Sequence, residues 1–282
     1  MIKFLKLNIR QGIVPRVTLY AVLICASAFF LLPIYLLLIT GLKSFQEVDL
    51  STMWSLPKTI GLGSFLVAIE KLYPNLLNSF YLTIPATFIS AFIGAINGFL
   101  LSKWKFKGSA IIFPLILFGM FIPYQSILIP LVQFLRAIRL YGTLYGLILT
   151  HVVYGLPITT LIFRNYFAEV PDELIEASQI DGCGLYGTFF RVLLPISAPG
   201  FVVVIIWQFT NIWNEFLFAV TITPDQAIQP ITVALQNLAG SQIVQWNVQM
   251  AGALLAALPT LIVYIVLGKF FIQGLLAGSV KG

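Results

Sequence analysis

Charge is what this chain has least of. Only 9% of its 282 residues are Asp, Glu, Lys or Arg, against about 25% in an average soluble domain. With 59% of the residues hydrophobic, a water-soluble surface cannot be assembled, so the composition indicates a polytopic membrane protein. Cysteine is scarce too. Cys25 lies in an apolar run and Cys183 in a polar segment, which implies neither a disulfide framework nor a metal site. No Gly-x-x-x-x-Gly-Lys-[Ser/Thr] occurs, since Gly268-Lys269 lacks the upstream glycine and is followed by Phe270. His-Glu-x-x-His and Gly-x-Ser-x-Gly are missing as well. The apolar runs lack the paired acids and bases of a proton-driven pump. Together these absences argue against a hydrolytic chain, so that energy from nucleotide hydrolysis would have to come from a partner. The net charge of +6 sits in short loops beside apolar runs, which argues for membrane orientation and against nucleic acid.

What is present is a set of uncharged runs bracketed by charges. A bilayer-crossing helix needs about 20 apolar residues. Candidates lie between Arg16 and Lys43, Lys71 and Lys103, Lys107 and Arg136, and Arg139 and Arg164; a fifth starts at Arg191 and a sixth near Val248. Lys3, Lys6 and Arg10 before an apolar run, with Ala26-Ser27-Ala28, imitate a signal peptide. The run continues to Ile39, so a retained signal-anchor helix is expected. With the N-terminus inside, 11 Lys and Arg fall on the inner side and 5 (Lys43, Lys58, Lys71, Arg136 and Arg139) on the outer. This predicts an all-α fold of six transmembrane helices with cytoplasmic N- and C-termini. The loop from Leu42 to Pro74 is expected outside as an ordered connection. Lys103-Trp104-Lys105-Phe106-Lys107 reads as an inner anchor.

Prolines punctuate the third run at Pro114, Pro123 and Pro130. They predict either simple kinks or kinks shaping a gated cavity around Pro123-Tyr124-Gln125. The fifth run carries Gln208, Asn211, Trp213, Asn214, Glu215 and Phe216. A helix beginning near Leu194 puts Glu215 about 20 residues along, at the outer interface. It then serves either as an interfacial acid beside a Trp belt or as a pathway residue. The amides suit sugar hydroxyls or helix–helix contacts equally. Pro230 followed by Ile231, Leu235 and Leu238 predicts a short amphipathic helix that connects spans or touches an external partner. His151 reads as a helix–helix hydrogen bond or, less simply, a proton relay.

One polar segment interrupts the apolar pattern. Between Arg164 and Arg191 lie Glu169, Asp172, Glu173, Glu176 and Asp181, five acids against two arginines, net −3. Pro171 and the early acids mark a helix start. Gly182 and Gly184 mark its end. Leu174, Ala177 and Ser178 are expected on one apolar face, and Leu185, Phe189 and Val192 on one face of a second helix. By composition this is either an ordinary cytoplasmic loop or a docking finger.

Glu176-Ala177-Ser178, three residues, Gly182, nine residues and Val192-Leu193-Leu194-Pro195 resemble the EAA loop of the inner-membrane permeases of binding-protein-dependent ABC importers. Asp181, Phe189 and Pro199 support the likeness. Trp213-Asn214-Glu215-Phe216 and the terminal Gly278-Ser279-Val280-Lys281-Gly282 resemble the maltose-permease G type of the carbohydrate-uptake group. Ser178 and Cys183 stand where Ala is usual, and Val192 where Ile is usual. The resemblance implies a type I ABC importer transmembrane fold in a bacterial inner membrane. Its expected parts are residues 1–70 (N-terminus, first helix and external loop), a core over 71–273 with a coupling loop at 165–195, and a tail over 274–282. It implies no enzyme activity and no cofactor in this chain, with ATP and Mg2+ held by partner ATPases. The implied partners are a related second permease subunit, two copies of an ABC ATPase, an external solute-binding protein and the bilayer. Glu176, Ala177, Ser178, Asp181, Gly182, Leu194 and Pro195 would couple to the ATPase, and Gly278 to Gly282 would reach its interface. Gln125, Gln208, Asn211, Trp213, Asn214, Glu215 and Phe216 would border the pathway of a sugar or related polyhydroxy solute. An importer of another polar solute and an ion-coupled secondary transporter are the competing readings.

Overall fold

The computed structural model describes residues 13–104, 106–240 and 244–277. Those residues form helices joined by short turns, with no strand among them. In chain order they are α1 (Ile13–Gly41), α2 (Gly63–Lys103), α3 (Ser109–Phe118), α4 (Leu128–Ala137), α5 (Leu144–Ala168), α6 (Asp172–Ile180), α7 (Leu185–Gly187), α8 (Leu194–Ile196), α9 (Ala198–Trp213), α10 (Leu217–Ile222), α11 (Ile231–Ala239) and α12 (Trp246–Ala277). By length and composition α1, α2, α5 and α12 can each cross a membrane. Two bent pairs, Ser109–Phe121 with Tyr124–Ala137 and Leu185–Ile196 with Ala198–Trp213, bring the total to six if each is one span.

The described parts of residues 1–70 and 242–254 form one compact unit. Its α1 is apolar all round and keeps side chains such as Val17, Phe29 and Phe30 exposed, as a lipid-facing helix does. The chain after α1 is ordered by its own polar groups. Buried Lys43 donates from Nζ to the Thr52 carbonyl (2.7 Å), Asp49 accepts from the Ser51 amide (2.8 Å), and the Tyr35 hydroxyl donates to the Trp54 carbonyl (3.0 Å). This loop ends at Gly63, eleven residues before the expected Pro74. Ser64, Ala68, Leu72, Asn75 and Ser79 form a buried helical stripe, while Glu70, Lys71 and Pro74 lie on the exposed side. Helix α2 therefore reaches 41 residues, about 60 Å at ~1.5 Å per residue, or twice a ~30 Å hydrocarbon core.

Residues 71–240 and 255–277 form the second unit. Its α5 is half buried and starts where the Thr143 hydroxyl accepts from the Gly146 amide (3.1 Å), satisfying one free N–H of the first turn. Helix α2 packs against it through Gly94 and Gly98. A Cβ on Gly98 would lie 2.6 Å from the Phe163 Cβ, so this approach admits only glycine.

The third run is not one kinked helix. Its two halves meet at 92° beside Ile122-Pro123. Proline disfavours a helical preceding residue, and Ile122 is extended, with ψ 117°. Its carbonyl is recovered by the Tyr154 hydroxyl of α5 (3.0 Å). The fifth run breaks as well, by 76° at Ser197, before Pro199. There the Tyr166 hydroxyl, also of α5, donates to the Ile196 carbonyl (2.7 Å). Two tyrosines of one helix thus satisfy a carbonyl at each bend.

Candidate functional site

The polar insert folds as a helix, a turn and a return. Lys103, at the end of α2, donates from Nζ to both the Val170 carbonyl and Asp172 Oδ1, each at 2.6 Å. This fixes the start of α6. At its far end the Cys183 amide donates to the Ser178 carbonyl (2.9 Å) and the Gly182 amide to that of Gln179 (3.0 Å). With Gly182 at φ +81°, this is a Schellman termination, where only glycine avoids a Cβ penalty.

The buried face of α6 is Ile175 and Ser178, while Leu174 and Ala177 are exposed. The buried stripe is therefore not the expected Leu174, Ala177 and Ser178, because the hydrophobic cluster beneath α6 accepts Ile175. Ser178 Oγ donates to the Ile175 carbonyl (2.7 Å) and shares a 2.9 Å bond with Thr188 Oγ1. Across the turn, residues Thr188–Leu193 adopt a π-helical turn. One extra residue per turn places Phe189 and Leu193 inward, where the α-helical spacing had put Val192. These two pack with Phe99, Phe163, Phe167 and Ile175. Glu176, Ala177, Asp181 and Pro195 stay exposed, and Leu194 is half-buried. Ile180 and Tyr186 are 86% and 77% exposed, so the tip of the insert shows large apolar side chains among carboxylates. The tail Gly278 to Gly282 lies outside the described residues.

A second feature is a cavity of about 660 Å³ beside the bend that follows α9. Gln208, Asn211, Asn214, Glu215 and Phe216 line it. Helix α9 stops at Trp213 rather than running through Glu215. The Glu215 carboxylate then caps α10, accepting from the amides of Phe218 (2.7 Å) and Ala219 (3.1 Å). His151 is buried on α5. Its Nε2 makes no hydrogen bond and lies 3.7 Å from Glu215 Oε2. It faces Phe218 edge-on rather than bonding a neighbouring helix through that atom.

Two residues expected along the pathway do not line this cavity. Trp213 is 2% exposed, stacks on Phe209, and donates from Nε1 to the Ala256 carbonyl (2.8 Å). It is a packing residue, because its polar atom is spent in the core. Gln125 is exposed in the turn after Pro123 and does not line the cavity. Conversely, Trp207, Tyr124, Tyr154 and Thr210 do line it. Trp207, Asn211 and Asn214 are spaced by four and three residues, a face that the sequence already displays.

The model of the family described as "Binding-protein-dependent transport system inner membrane component" matches residues 90–277, more than half of the chain. A probable ABC transporter permease protein of Pyrococcus horikoshii is 46% identical over 270 residues, covering 95% of this chain and 98% of that one. The xylose/arabinose import permease protein of Haloferax volcanii is 34% identical over 283 residues, covering 92% of each. Among solved structures, a chain of a bacterial ABC transporter involved in import of the acidic polysaccharide alginate superposes with TM-score 0.80 at 20% identity, over 93% of this chain and 99% of that one. The fold is shared with that chain, and the sequence belongs to the family of binding-protein-dependent transport system inner membrane components.

Proposed function

We propose that this chain is one permease subunit of an ATP-driven importer that moves a sugar or related polyhydroxy solute by alternating access. Six crossings with both termini in the cytoplasm put the insert inside the cell and the loop after α1 outside, on the side from which a solute-binding protein delivers its cargo. The remaining partners are a related second permease and two ATPase subunits, which hold ATP and Mg2+. A bacterial inner membrane is the setting. The permease name of the 46% identical relative and the sugar named in the 34% identical one support the class of cargo and machine.

The single observation that carries the reading is the insert. Helix α6 is fixed at its start by Lys103 and at its end by the Gly182 termination. It is packed from below through Ile175, Ser178 and Phe189. It exposes a mixed apolar and acidic tip that fits a cleft in a basic partner. A helix held at both ends transmits displacement as a lever instead of absorbing it. Gly182→Val tests this, because a β-branched residue at φ +81° costs about 1–3 kcal/mol. In the purified complex the expected result is membrane insertion at the normal level, with solute-stimulated ATPase activity and uptake lost. Normal coupling in that variant would refute the docking role.

A further inference from the structure

We infer that this subunit itself holds the solute, in the cavity beside Glu215, and that the solute is uncharged and rich in hydroxyl donors. This rests on the importer reading above and narrows it. The cavity's volume, about 660 Å³, lies in the ~300–1,000 Å³ range of small-molecule sites.

Its amide donors are spent within the protein. Asn211 and Asn214 each turn the amide Nδ2 back onto the helix, to the carbonyls of Trp207 and Thr210, both at 2.8 Å. Gln208 Nε2 is spent on Ser90 Oγ (2.9 Å) and the Tyr154 hydroxyl on Ile122. The amide oxygens of Asn211 and Asn214 have no partner among the described residues, and both side chains are exposed. Glu215 adds carboxylate oxygens and is the sole acidic residue in the lining, which contains no Lys or Arg and one His, His151, whose Nε2 lies 3.7 Å from Glu215 Oε2. The Asn211, Asn214 and Glu215 oxygens call for donors from the ligand, while the Trp207 indole N–H, the Tyr124 hydroxyl and His151 Nε2 in the same lining can serve its acceptors. Hydroxyl groups supply both. A deprotonated carboxylate or sulfonate does not, and an anion also meets the like charge of Glu215 with no Lys or Arg in the lining to offset it. Trp207, half exposed at the same wall, offers an indole face for the apolar side of a sugar ring.

The test uses the complete complex with its binding protein and single cysteines, Asn211→Cys or Asn214→Cys, in a Cys25→Ser, Cys183→Ser background. Three methanethiosulfonates serve as probes on detergent-purified complex: a neutral methyl, a cationic trimethylammonium-ethyl and an anionic sulfonatoethyl reagent. The neutral and cationic reagents are expected to modify either cysteine about tenfold faster than the anionic one, and Glu215→Gln should remove most of that difference. In proteoliposomes, modification should block uptake of the solute that the binding protein delivers, and that solute should slow modification. Equal rates for neutral and anionic reagents would overturn the charge selectivity. Unimpaired uptake after complete modification at both positions would overturn solute binding by this subunit while leaving import itself standing. If no sugar or polyol stimulates the unmodified complex, the importer reading fails instead, and the reagent rates still report on the cavity.

Discussion

Ser178 shows how much one hydroxyl decides. It stands where the resemblance leads one to expect alanine, a replacement that is conservative in size. In the fold it is buried and bonded to Thr188 across the insert. Ser178→Ala should leave Thr188 Oγ1 without that partner in a buried setting and cost about 1–3 kcal/mol. Adding Thr188→Val should restore most of the loss, since removing both partners of a buried bond is close to neutral. Thermal unfolding of the purified single and double variants measures this. A double variant no more stable than Ser178→Ala would show that the pair is not coupled. Gly182 is the opposite case. Its position after a Pro171-led acidic helix made the stop readable directly, because left-handed backbone is a local property that glycine announces.

Among the elements, α6 and the end of α2 are joined by Lys103. Its side chain is 8% exposed, whereas that of Asp172 is 76% exposed. The exposed carboxylate contributes little, as surface ion pairs do; the Val170 carbonyl is the partner that matters. Asp172→Asn should therefore leave ATPase coupling within about twofold of the parent. Lys103→Met should reduce coupling far more, by unfastening α6. Equal effects of the two substitutions would put the anchorage in the ion pair instead. The bends teach a related lesson. Pro123 was visible as a breaker, but it fixes no angle. The 92° and 76° turns persist because Tyr154 and Tyr166 recover the carbonyls at each break, and such pairings become known only when α5 is in place. The π turn at Thr188–Leu193 was illegible for the same reason, since its register follows the cluster under it.

For the molecule as a whole, the scarcity of ionisable groups in the long helices bears on the energy source. Uptake by the complete complex should continue when proton and sodium gradients are collapsed with ionophores, and should stop when the ATPase subunits are omitted. Gradient-dependent uptake by this chain alone would revive the secondary-transporter reading.

The sequence by itself determined that the chain is helical and membrane-crossing, that it carries no Gly-x-x-x-x-Gly-Lys-[Ser/Thr] motif, and that one acidic insert is framed by Pro171 and Gly182. Composition, charge placement and backbone preference are local quantities and need no neighbour to act. Tertiary structure alone decided which face of α6 is buried, that α2 begins at Gly63, that Trp213 is a packing residue, and that His151, Asn211, Asn214 and Glu215 share one cavity wall. Each of those depends on what lies across from a side chain, and in a bundle whose helices are apolar on most faces, periodicity does not say which face meets which.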